Sequence, residues 1–142
     1  MQSFAQNLVY GILISALYGL AAVGLSLVFG VTKLLNVSHG ELIMLGGYSS
    51  FWVFRLLKID PFISIPLTAL FLVIIGFVIY KLVFSRTVMF DVENKIKSSL
   101  LVAFGLSIVM QNIALQLWTA DDRSITTSYS AAAFTFHGVR FP

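Results

Sequence analysis

Apolar and polar positions fall in long blocks, not with the alternation of a strand. Positions 8–29 are largely apolar; at 1.5 Å per residue, about 22 residues reach roughly 33 Å and cross a hydrocarbon core of about 30 Å. The block 30–48, G-V-T-K-L-L-N-V-S-H-G-E-L-I-M-L-G-G-Y, then gathers Lys33, Asn36, Ser38, His39 and Glu41 before apolarity resumes. A charge at the bilayer centre costs about 2.5–3.5 kcal/mol on insertion scales, so such a cluster beside a span is expected to face water, protein or a cavity. The pattern predicts a break between two membrane helices that lines part of a transport path.

A new helix is predicted over 39–57. Ser38 and Glu41 have the spacing of a capping box, and Val37 and Leu42 hold the hydrophobic-staple positions. Asp60-Pro61 joins a capping side chain to a residue pre-shaped for the first helical position, which opens a third span over 61–84. Pro66 lies close enough to that start to distort it little, and Lys81 near the far end can snorkel to the interface. A charged connector at 85–97 leads to a fourth span at 98–118, the most polar of the four through Gln111, Asn112 and Gln116. The tail, 119–142, reads as an extramembrane loop with a short strand or hairpin around 134–139. The expected architecture is all-α: a polytopic transmembrane helix bundle of about four spans, with a polar break between the first and second.

Within the first span Gly11, Ser15, Gly19, Ala22, Ser26 and Gly30 recur every three or four residues and share one face. Such a seam lets a second helix backbone approach closely; the alternative is that Gly and Ala are simply common in membrane helices.

Composition decides the class. Hydrophobic residues are 58% of 142 and charged residues 11%, against about a quarter charged in soluble domains, and the mean hydropathy is +0.95. This is the make-up of an integral membrane protein. The absence of cysteine excludes disulfides and thiolate metal sites. The net charge of +3 comes from basic residues set mostly between apolar runs, where they act as topology signals and not as a nucleic-acid footprint. Placing Lys33, Lys81, Arg86, Lys95 and Lys97 in the cytoplasm leaves Arg55, Lys58, Arg123 and Arg140 outside, with an external N-terminus and tail. The first seven residues lack Lys and Arg, so the first span is expected to remain in the mature protein.

The candidate chemistry is that of a path. Ser38, His39, Gly40 and Glu41 could present a helix N-terminus to a substrate carboxylate, although Glu41 would repel an anion and a capping role accounts for it. Gln111 and Asn112 either line the path or hydrogen-bond between helices. Asn36 is expected to satisfy backbone groups in the break, and Lys33 to anchor at lipid phosphate or pair with Glu41. His39 is read as a hydrogen-bonded structural residue, since the one other histidine is His137 in the tail and a metal site needs more donors. No Ser-His-Asp set, paired carboxylates or P-loop is present. Catalytic, cofactor and metal residues are therefore not expected, and work for active uptake would come from another subunit.

From Gly19 to Tyr48 the chain closely resembles the LivH-type permeases of branched-chain amino-acid ABC importers, with their G-L-x-L-x-F-G…N-x-x-H-G-x-x-x-x-x-G-A-Y pattern. It is matched by Gly24, Leu25, Leu27, Phe29, Gly30, Asn36, His39, Gly40, Gly46 or Gly47, and Tyr48. Gly47 stands where that family usually has Ala. A second stretch, Leu100 to Trp118, is similar to a later helix with a T-x-G-L-S-x-x-x-Q-N core, with Ala103 where Thr is frequent. The resemblance implies a multi-pass permease subunit of a bacterial-type inner membrane, acting by alternating access. It also implies a second permease subunit, two ATP-binding subunits that carry the ATP, an extracytoplasmic solute-binding protein and surrounding lipid as partners. Permeases of this type are about twice as long, so a truncated or partial sequence is expected. Transport of urea or short amides, and a small non-transporting membrane protein that associates through its helix seam, are the alternatives.

Overall fold

The computed structural model describes residues 2–129, 132, 134–136 and 139–141. Four α-helices follow in order: α1 (Gln2–Thr32), α2 (His39–Leu57), α3 (Pro61–Ile79) and α4 (Val92–Trp118). The chain divides into two compact units, Met1–Leu27 with Thr126–Pro142, and Val28–Ile125. In the first, two three-residue strands, β1 (Phe134–Phe136) and β2 (Val139–Phe141), pair antiparallel with Phe134 opposite Phe141. His137 lies outside the described residues.

Among the described residues, three stretches are long and apolar enough to cross a membrane: Ser3–Thr32, Pro61–Phe84 and Val92–Trp118. α2 is the exception, a 19-residue helix carrying Glu41 and Arg55 in its first and last turns. It packs mainly against α3, where Gly46 makes room: a Cβ there would sit 3.2 Å from Leu72 Cδ1. Asp60 caps α3 by accepting from Phe62 N at 2.9 Å, and Pro66 stays inside a continuous helix. Beyond Ile79 the helix widens into one π turn, Tyr80–Phe84, with Ser85 N donating to Tyr80 O at 2.8 Å. That turn delivers Phe84 to a small core with Leu34 of the break and Ala103 of α4.

The connector 85–97 corrects the sequence reading. After a 3₁₀ turn, Thr87–Met89, helix α4 begins at Val92, so half of that connector is helical. Asp91 is the reason, as an N-cap accepting from Asn94 N, and the exposed Glu93–Lys97 pair one turn apart adds support.

The proposed packing stripe of α1 is not where small residues are buried. Gly11, Ser15, Gly19, Ala22, Ser26 and Gly30 are all exposed, and a Cβ built at Gly11, Gly19 or Gly30 meets nothing within 4 Å. The buried stripe belongs to α4: Ser99, Ala103, Ser107, Met110 and Ala114. Their three- and four-residue spacing puts them on one helix face, and the small size of Ser99 and Ala103 admits the break at Leu34 and Leu35.

Candidate functional site: the break and the α2–α4 polar bridge

Irregular backbone beside membrane helices must place its hydrogen bonds somewhere, and the break does so group by group. Lys33 closes α1 in the left-handed region, φ 57°, with its N–H on Phe29 O at 2.9 Å. Thr32 Oγ1 accepts from Leu34 N at 3.1 Å. Leu35 N donates across 64 positions of sequence to Ser99 Oγ at 2.9 Å, while Ser99 Oγ donates to Ile96 O. Asn36 Oδ1 takes both Ser38 N at 3.1 Å and Ser38 Oγ at 2.6 Å. The buried Leu34 and the Leu35–Ser99 bond thus hold the break against α4 and the π turn, while the buried Ser38 is tied to Asn36.

The capping box does not form. Ser38 occupies the N-cap position, but its φ and ψ of −75° and 15° leave no side-chain cap bond, and its hydroxyl is spent on Asn36. Glu41 is accordingly free to reach α4, where its Oε1 accepts from Ser107 Oγ at 2.5 Å and from Gln111 Nε2 at 2.7 Å. Ser107 and Gln111 are one helical turn apart and bonded to each other at 3.2 Å. Glu41 Oε2 is buried, with no partner among the described residues. Lys33 does not neutralise it: its Nζ lies 5.7 Å from the Phe29 ring centroid, and no Lys33–Glu41 ion pair is found among the described residues.

Above this bridge, along the same faces of α2 and α4, lies a cavity of about 750 Å³. Its walls include Tyr48, Phe51 and Leu115, Gln111 lines it from the bridge, and Asp122 and Arg123 come from the segment after α4. Tyr48 stacks on Trp118 with ring centroids 4.4 Å apart. The Arg123 guanidinium lies 5.6 Å from the Phe51 ring and 5.7 Å from Trp52, and its Nη2 donates to Trp118 O at 2.7 Å. Its Nε is buried and, among the described residues, unpaired, as is Trp52 Nε1.

The residues singled out by sequence therefore separate. Glu41 and Gln111 meet, and Asn36 and Ser38 meet. Asn112 does not join them, since its Nδ2 donates to Ile108 O of its own helix and its side chain is exposed. Gly40 is exposed with open space about it, and His39 is half-buried. Sequence reasoning missed Ser99, Ser107, Tyr48, Trp118 and Arg123. The first two had a visible signal, the spacing of small residues along 99–114; Arg123 had none, because nothing in its neighbours specifies an aromatic seat.

A model of the family described as "Branched-chain amino acid transport system / permease component" matches residues 7–141. The chain belongs to that permease family. It is 32% identical to the high-affinity branched-chain amino acid transport system permease protein LivH of Escherichia coli, over 97% of this chain and 46% of that protein. It is 27% identical to the corresponding protein BraD of Pseudomonas aeruginosa, over 87% of this chain and 42% of BraD. The chain thus spans less than half the length of these relatives. No solved structure matches it. Family membership and three helices able to cross a membrane make this a multi-pass membrane permease component.

Proposed function

We propose that this chain supplies the first helices of the permease in an ATP-driven importer of branched-chain amino acids, in a bacterial-type inner membrane. ATP is bound and hydrolysed on two partner subunits, a second permease subunit completes the membrane part, and an extracytoplasmic protein delivers the solute. The observation that carries the reading is the Glu41–Ser107–Gln111 bridge beside a broken helix. A carboxylate among membrane helices is costly to bury and is placed where a path, not lipid, adjoins it, and broken helices are how many transporters build such paths.

The test is labelled-leucine uptake by proteoliposomes holding the full-length permease with its partner subunits, solute-binding protein and ATP. Uptake that depends on ATP and disappears when this permease is omitted is expected. Full uptake without it, or accumulation of urea in place of leucine, would overturn the proposal.

A further inference from the structure

The cavity above the bridge sets an aromatic and aliphatic wall beside Asp122 and Arg123. We infer that it is a subsite for the zwitterionic end and aliphatic side chain of an α-amino acid, with Arg123 taking the carboxylate and Asp122 the ammonium. The inference rests on the transport reading above and moves the point of solute contact from the helix start at Ser38–Glu41 to the middle of α2 and the C-terminal end of α4.

Three observations carry it. The cavity, at about 750 Å³, falls in the range of small-molecule sites, roughly 300–1,000 Å³, which are mostly apolar with a few placed polar groups. Tyr48, Phe51 and Leu115 give it the apolar wall that an aliphatic side chain requires.

The second observation is the state of Arg123. Stacking over Phe51 and Trp52 and the bond from Nη2 to Trp118 O fix its guanidinium at the cavity wall, and no ion-pair partner is found for it among the described residues. A carboxylate is the acceptor whose geometry a guanidinium matches best.

Third, a cation and an anion adjacent in sequence both line the cavity without neutralising each other: among the described residues, no carboxylate lies within ion-pair distance of Arg123. Asp121 is committed elsewhere, accepting from Thr119 Oγ1 at 2.6 Å, which leaves Asp122 for the ammonium. Two opposite charges beside one apolar wall match a molecule that carries both charges on one carbon and a branched alkyl group beyond it.

The test uses the full-length transporter in phosphatidylglycerol nanodiscs, free of zwitterionic headgroups that could occupy the same charges, and without solute-binding protein. Saturation-transfer NMR would compare leucine, leucinamide, which lacks the carboxylate, and 4-methylpentanoate, which lacks the amine. Leucine is expected to give the strongest transfer. Arg123→Gln should weaken leucine at least tenfold and erase its advantage over leucinamide. Asp122→Asn, at an exposed position that does not threaten folding, should erase the advantage over 4-methylpentanoate. Equal transfer from all three ligands, or an Asp122→Asn protein with its preference intact, sinks the subsite. Leucine uptake by the same preparation, with binding protein and ATP restored, reads the transport role separately: uptake unchanged by both substitutions discards the subsite and keeps the permease. Absence of any branched-chain uptake discards the permease, while the ligand preference still decides the subsite.

Discussion

Two helices of this chain carry stripes of small residues at helical spacing, and the two stripes have opposite fates. On α1 the stripe from Gly11 to Gly30 is exposed throughout, whereas on α4 the stripe from Ser99 to Ala114 is buried. The α1 stripe is the richer in glycine and looks the better packing surface. What distinguishes α4 is that two of its small residues are hydroxyls with polar partners elsewhere in the chain: Ser99 takes Leu35 N, and Ser107 gives to Glu41. In lipid, where apolar surfaces gain little by meeting each other, small size permits contact and hydrogen bonds select the partner. A glycine stripe shows that something can come close; a serine stripe opposite a broken helix shows what does.

The largest expected effect comes from filling the buried stripe. Ala103 is fully buried beside Leu34 and Phe84, so Ala103→Leu must displace these neighbours and should cost about 1–3 kcal/mol by overpacking. Ala22→Leu, the same change on the exposed stripe of α1, should stay within about 0.5 kcal/mol, as surface substitutions do. Denaturation of the purified protein in detergent, followed by tryptophan fluorescence, measures both. Equal losses at the two sites would erase the distinction between the stripes.

Next in size is Ser99→Ala. The side chain is fully buried and is the acceptor for Leu35 N; its removal leaves a backbone donor of the break unpaired, at about 1–3 kcal/mol. Because Leu35 sits at the hinge between α1 and α2, the change should also raise hydrogen exchange at positions 34–39 more than in mid-helix. Exchange that rises uniformly would mean that Ser99 serves α4 alone.

The bridge should be worth less per bond. Measured interhelical hydrogen bonds in membranes average about 0.6 kcal/mol with a maximum near 1.7 kcal/mol. A double-mutant cycle on Glu41→Ala and Ser107→Ala should give a coupling in that range, and Asn112→Ala, which breaks only a bond to its own helix, should show none with Glu41. Coupling of Glu41 to Asn112 as large as to Ser107 would refute the bridge.

How far the letters foretold this differs by residue. The break is legible because Lys33, Asn36, Ser38, His39 and Glu41 stand out against apolar surroundings, and the restart at His39 and the cap at Asp60 follow from local spacing. Glu41 was misread because its spacing from Ser38 fits a capping box, while its actual partners lie 66 and 70 positions away. Local spacing cannot weigh a contact of that range, and the Ser38 hydroxyl that would complete the box is bonded to Asn36 instead. The cavity was hidden for the same reason. Tyr48 and Trp118 stack only once α2 and α4 are side by side, and the seat of Arg123 is made of two aromatic residues that in sequence look like ordinary membrane positions.

The smallest effect lies at the end of α4 that the stripe does not reach. Asn94, through its side chain and then its backbone N–H, holds the Asp91 carboxyl below the usual carboxylate value. A depressed folded value means that the cap stabilises the helix above the unfolded-state value of Asp, about 3.9, and is lost as pH falls through the lower, folded one. Asp91 is fully exposed, so the loss should fray the first turn without unfolding the helix. Amide exchange at Val92, Glu93 and Asn94 should therefore gain protection as pH rises through the acid range, once corrected for intrinsic rates, and Asp91→Asn should remove that dependence. Ser99 to Ala114 should show no such response, because the buried stripe is held by packing and by bonds to the break. A pH response shared by both ends of α4 would mean that the helix moves as one body, and that its buried face is less firmly seated than these contacts imply.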